Sequence, residues 1–180
     1  HTGRASECLD QTLKTFHGIV QSDGYSAYGA YLKRHPKAQI ELAACWAHAR
    51  RKFYDARNES PFAARIVLEI QELYNIESEL RENPEKDRRA VRQEKSVPML
   101  QRIGLQLQAE QPKHRPKSQT GKAISYTLGL WNKLLLYTEH AEVEIDNNLV
   151  ENAIRPTAIG KKNWLFFGSA GAGKTSAIYY

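Results

Sequence analysis

After an opening section of short strands and helices, the strand signal disappears from about Pro61 to Tyr137, where the apolar residues recur at helical spacing. That division limits the fold more than any other feature. Ile19-Val20-Gln21-Ser22 is a short apolar run that stops at Asp23-Gly24, a turn signal, so Asp23 falls at the carboxyl end of a strand. Ile40 to Ala44 reads as a second strand. A helix is predicted before the first strand, over Ser6 to Phe16, with Leu9, Leu13 and Phe16 at helical spacing and Ser6 as N-cap. Another follows it, with Tyr25, Tyr28 and Leu32 on one side and His35-Pro36 as its end, and a third runs from Trp46 to Ala56. In that third helix Trp46, Ala49 and Phe53 face inward, while Arg50, Arg51 and Lys52 face mostly outward. Strands and helices alternating at such short intervals predict an α/β unit, a parallel or mixed sheet covered by helices.

In the middle, Ile66, Ile70, Leu73, Ile76 and Leu80 repeat at helical spacing. Arg88 to Leu107 gives a weaker helical region interrupted by Pro98, and Pro112 to Ser118 reads as a basic turn. Lys122 to Thr138 reads as one further helix, striped by Ile124, Leu128, Trp131 and Leu135. A chain of 180 residues has room for one domain carrying an insertion, so the organisation expected is an α/β part over 1–60, a helical insertion over 61–138, and a return to the same domain over 139–180.

Composition narrows the function classes. A net charge of +6 with a pI near 9.3 favours polyanionic partners such as nucleic acid. No apolar run approaches the roughly 18 residues of a membrane helix, and the residues after His1 do not form a signal peptide. The start lacks an initiator Met, so the chain is expected to be cut from something longer. Cys8 and Cys45 form no disulfide framework, which fits a cytoplasmic protein.

Four groups of residues could carry chemistry. Asp23 ends a strand where ligands of α/β sheets sit, but taken alone it reads as a turn-forming Asp. Glu151 lies three residues after Asn148, so the two could form a capping box. It also stands among Asp146, Asn147, Asn152 and Arg155, and on a helix it would share a face with Arg155. Either Asn147 or Asn148 could cap that helix, and Pro156 ends or bends it. Cys45 and His48 have the spacing of half a zinc site, without the other ligands a structural zinc needs. Lastly, Gly168 to Thr175 fits the phosphate-loop pattern G-x-x-x-x-G-K-[ST]. A working phosphate loop needs a following helix and an acid-bearing strand, and Ser176 to Tyr180 cannot supply them. That match reads as chance.

Three segments together resemble the DDE transposases of the insertion-sequence-sixty-six family: Gln21 to Tyr28, Cys45 to Phe53, and Glu144 to Pro156. The continuation from Ala158 to Ser169 is similar to the family's tail, although Ala-Gly-Ala-Gly-Lys-Thr then replaces its usual polar sequence. The resemblance implies a ribonuclease-H-like fold with a mixed sheet, flanking helices and an all-α insertion before the helix that bears the glutamate. It implies that Asp23 and Glu151 are catalytic metal ligands, the second and third of an acidic triad. The first Asp would precede His1; Asp10, inside a predicted helix, is a poor substitute. Two Mg²⁺ or Mn²⁺ ions in the complete enzyme would serve strand cleavage and strand transfer on DNA. Arg50, Arg51, Arg155, Lys161 and Lys162 are candidates for phosphate contact, and the active complex is expected to be a homo-oligomer. A chain with two of three acids is expected to be inactive alone. The competing readings are a non-enzymatic basic DNA-binding remnant and a nucleotide-binding module at residues 168–175.

Overall fold

The computed structural model describes residues 9–153. Helix α1 (Leu9–Leu13) leads into β1 (Gly18–Ser22), α2 (Ser26–Arg34), β2 (Ile40–Ala44) and α3 (Trp46–Ala56). The rest of the described chain is helical: α4 (Pro61–Glu82), α5 (Arg88–Val91), α6 (Val97–Glu110), α7 (Gln119–Gly129), α8 (Trp131–Leu135) and α9 over 148–153. Strands β1 and β2 pair in parallel, from Gly18 against Ile40 to Ser22 against Ala44. The described part is therefore mixed α/β, mostly helical, around a small two-stranded parallel sheet.

Two strands alone are marginal in water, so both faces need cover. Alternation along the strands supplies it. Val20, Ile40 and Leu42 turn to one side and pack with Leu13 of α1 and Tyr31 of α2. Ile19 and Ala43 turn to the other side and join the main core, which contains Trp46, Phe53, Ile66, Ile70, Leu73, Leu100, Ile103, Leu107, Ile124 and Leu134. One continuous apolar cluster thus runs from the sheet through α3, α4, α6, α7 and α8 to Val143 and Ile145.

Local chemistry sets the helix starts. The Ser60 side chain accepts from Ala63 N–H at 3.3 Å, with Pro61 in the first turn of α4. Asp87 accepts from Arg89 and Ala90 N–H at 2.9 and 3.1 Å, and Ser118 from Gly121 N–H at 3.0 Å. Gly104 lets α6 approach the Trp131 indole closely, since a Cβ there would stand 2.8 Å from the ring.

Three expectations need correction. The α4 stripe buries Glu77, while Ile76 is only half-buried, because Arg92 meets that carboxylate inside the core. Pro98 interrupts nothing: it sits in the first turn of α6, and a π-helical turn over Arg92–Ser96 precedes it. There Val97 N–H reaches back to Arg92 O, a wider ring that accommodates the proline's missing donor. Lys122 to Thr138 is not one helix either. It breaks at Leu130 into α7 and α8, then tightens into a 3₁₀ turn over Leu136–Thr138. The buried positions include Ala123, Ile124, Thr127, Leu134 and Tyr137, whereas Leu128, Trp131 and Leu135 are only partly covered.

Candidate functional site

Parallel pairing brings the carboxyl ends of β1 and β2 to the same edge, where ligands of such sheets gather. One step beyond the Ser22–Ala44 pair stand Asp23 on one strand and Cys45 on the other. Asp23 is exposed, and its Oδ1 accepts from Tyr25 N–H at 3.0 Å, an Asx turn that aims the side chain beyond the strand. Gly24, at φ +85°, allows that turn, and the Tyr126 hydroxyl donates to Asp23 O at 2.6 Å. Burial, and next the negative charges of Asp23 and Cys45, push the Tyr126 phenol up to about 12. Lys52 lies 4.5 Å from the centre of the same ring.

The segment leading to Glu151 is tied to this edge. Gln21 Nε2 donates to Glu144 O at 2.7 Å, and Trp46 N–H donates to Ile145 O at 3.1 Å. Asp146 accepts from Asn148 N–H at 3.0 Å and from the Asn148 side chain at 2.8 Å, which fixes the start of α9. The first intrahelical bond runs from Glu151 N–H to Asn147 O at 3.0 Å, so Asn147 is the cap position, while Asp146 supplies the capping oxygen. Asn148 is thereby committed to Asp146, and the Glu151 carboxylate faces His48 at 3.6 Å from Nε2. Both side chains are partly exposed, so the pair opens to solvent.

Cys45 is fully buried. Burial pushes its thiol up, against the backbone N–H groups of Asn147, His48 and Ala47, so it is neither a ready nucleophile nor a prepared zinc ligand. Among the described residues no group of three His, Cys, Asp or Glu side chains is placed to hold a metal ion. Asp23 and Glu151 carry hard oxygen donors of the kind Mg²⁺ and Mn²⁺ prefer. Asp10 lies elsewhere, paired with Arg34 at 2.9 Å and His35 at 3.0 Å.

On α3, Arg51 and Lys52 are exposed as expected, and Arg50 is half-buried with its terminal nitrogen on Gln71 Oε1 at 3.1 Å. Arg155, Lys161, Lys162 and the segment Gly168 to Thr175 lie outside the described residues. In the sequence, His48 stands out only as half a zinc site. Its place in the first turn of the helix after β2 was the available signal, since that turn follows the carboxyl end of the sheet.

Residues 1–175 match the family described as Transposase IS66 family. The chain belongs to this family. Three proteins of Sinorhizobium fredii (strain NBRC 101917 / NGR234) are similar to this IS66-family chain along nearly all of it. Uncharacterized protein y4qI is 40% identical over 97% of the chain, uncharacterized protein y4jD is 34% identical over 97%, and uncharacterized protein y4hP is 33% identical over 97%. The chain covers 34%, 35% and 34% of those proteins, about a third of their length. No solved structure matches it. The family match also spans Gly168 to Thr175, so that segment lies within the transposase-related sequence. No described helix is long and apolar enough to cross a membrane.

Proposed function

We propose that this chain is part of the catalytic region of a DDE transposase with a ribonuclease-H-like fold, acting on DNA, in which Asp23 and Glu151 are two of three metal-binding carboxylates. The observation that carries the reading is the common edge. Asp23 ends β1, and the bonds Gln21–Glu144 and Trp46–Ile145 bring the Glu151 segment to that same end of the sheet. Family membership supports it independently.

Mg²⁺ or Mn²⁺, when bound, would activate the attacking oxygen and stabilise the leaving one. The chain's own residues prepare the place. The Asx turn and the Tyr126 hydroxyl fix the Asp23 backbone. Asp146 fixes the first turn of α9, and His48 Nε2 stands 3.6 Å from the Glu151 carboxylate. Arg50 and Arg51 offer guanidinium groups to phosphate, a role also proposed for Arg155, Lys161 and Lys162. The third carboxylate is proposed to come from chain preceding residue 1, and assembly into a homo-oligomer belongs to the complete enzyme.

The test uses the chain as it stands. Duplex DNA binding is expected to weaken steeply as salt rises, and Mn²⁺ binding to weaken in Asp23→Asn and in Glu151→Gln. Strand cleavage with Mg²⁺ or Mn²⁺ is expected to be absent, because two carboxylates leave a coordination position open. Robust cleavage abolished by Asp23→Ala would overturn the incomplete-site reading, and salt-insensitive or absent DNA binding would overturn the assignment to DNA.

A further inference from the structure

Between α3, α4 and the start of α9 lies a groove of about 520 Å³, within the size range of small-ligand sites. Its walls carry Arg50, Arg51, Tyr54, Gln71, Tyr74 and Asn148, with Asp55 among them. It is adjacent to the proposed catalytic edge. Asn148 is one turn before Glu151 on α9, and Arg51 is one turn after His48, the residue that faces Glu151.

The wall chemistry separates two kinds of occupant. A groove that only tracks a duplex backbone needs cations, and a carboxylate in its wall works against it. A groove that takes an unpaired nucleotide needs cations for the phosphate, an aromatic face for the base, and amide or carboxylate groups for the base edge. This groove has the second set. Arg50 lines the wall as a half-buried guanidinium, its Nε without a hydrogen-bond partner. Arg51 is exposed and has no carboxylate partner among the described residues. Tyr54 is 43% exposed, with the Arg57 guanidinium 3.6 Å from its ring centre on one face. The Asn148 amide nitrogen is held by Asp146, which leaves its oxygen as an acceptor.

We propose that this groove binds an unpaired nucleotide of the DNA substrate, its phosphate on Arg50 and Arg51 and its base against Tyr54, within one helical turn of Glu151. This rests on the reading of the chain as DNA-acting, and deepens it by naming which part of the DNA is held there.

The test is fluorescence anisotropy of the full chain with two labelled oligonucleotides: a blunt duplex, and the same duplex with a short single-stranded overhang. Wild type is expected to bind the overhang more tightly. Tyr54→Ala is expected to lose about tenfold on the overhang, with blunt-duplex binding unchanged, and Tyr54→Phe to retain it, because stacking needs the ring and not the hydroxyl. Arg51→Gln is expected to weaken both and to reduce the salt slope by about one. Since Tyr54 and Arg51 are exposed, circular dichroism of each variant is expected to match wild type. Equal loss on both oligonucleotides in Tyr54→Ala, or no loss on either, overturns the proposal while leaving DNA binding intact. Tighter binding of free dAMP than of the overhang would assign the groove to a free nucleotide and also overturn it. Absence of all DNA binding by wild type would instead remove the DNA reading, and this inference with it.

Discussion

Replacing Glu77 by Gln is expected to destabilise the chain more than most single substitutions. Glu77 and Arg92 are both fully buried. Arg92 Nε donates to Glu77 Oε1 at 2.8 Å and its terminal nitrogen to Oε2 at 2.7 Å, a bidentate pair. The other terminal nitrogen donates to Tyr137 O at 2.7 Å and His140 O at 3.0 Å, so the guanidinium is satisfied on every side. Glu77→Gln keeps the volume but removes the charge, and turns an amide N–H₂ toward Arg92 donors. Breaking one side of a buried ion pair costs about 3–5 kcal/mol. With a urea slope of about 2 kcal/mol/M, the midpoint should fall by roughly 1.5–2.5 M. Equilibrium urea unfolding followed by tryptophan fluorescence reads the shift directly, since Trp46 lies in the same core. A double-mutant cycle with Arg92→Met adds a second reading: the double variant should lose less than the sum of the singles, by about 1–3 kcal/mol. Arg88, already 3.3 Å from Glu77 Oε2, is the one described neighbour that could compensate. A loss under about 1 kcal/mol in Glu77→Gln, or additive singles, would refute the claim that this pair is a tightly coupled buried unit.

Two more outcomes are expected. Gly24→Ala should cost about 1–3 kcal/mol in the same urea assay, because φ is +85° and a Cβ would stand 2.6 Å from Leu130 Cδ1; a neutral substitution would show that Leu130 yields and the turn relaxes. The Tyr126 phenol should titrate spectrophotometrically near 12, above its ordinary 10.0, because burial and then the charges of Asp23 and Cys45 disfavour the phenolate. With the folded value raised, its contribution to stability is whole below pH 10 and is lost as pH rises through about 12, so a midpoint at the ordinary value would refute the burial.

The parts of the fold that were legible in sequence are those set by neighbours in the chain. The Asp23-Gly24 turn ends β1, Pro36 follows α2 closely, and the Trp46, Ala49 and Phe53 stripe is buried along α3 as its spacing predicts. What was not legible depends on partners distant in sequence. Nothing near Glu77 announces Arg92, so an apolar stripe was read through Ile76 instead. The 3₁₀ turn over Leu136–Thr138 that ends α8 has the same character. Trp46 Nε1 is buried and donates to Leu134 O at 2.9 Å, a carbonyl that an unbroken helix would pair with Thr138 N–H. The indole's demand for an acceptor accompanies that turn, and no local propensity in Lys122 to Thr138 encodes it. At the candidate site, Asp23 was visible through its turn, but the contact of His48 with Glu151 was not, because it joins the first turn of α3 to a helix beyond all the intervening helices.

Those intervening helices do more than fill the interval between Asp23 and Glu151. Glu144, seven residues before Glu151, has its backbone oxygen on Gln21 of β1 and its carboxylate on Arg88 of α5 at 2.8 Å, with Arg81 of α4 at 3.6 Å. Ile145 is bonded to Trp46 through its carbonyl, and its side chain is buried in the core that α4, α6 and α7 build. The approach to α9 is therefore held from two directions, by the sheet through backbone bonds and by the helical region through charge and apolar packing. Without residues 61–138, Trp46 would lose its acceptor, Glu144 its arginines, and Phe53 and Ile145 most of their cover. The sheet edge alone would leave Glu151 tethered by Gln21 and Trp46 but not supported from behind. On the transposase reading, this makes the helical region the element that positions the glutamate, which gives a physical reason for its lying between the two acids.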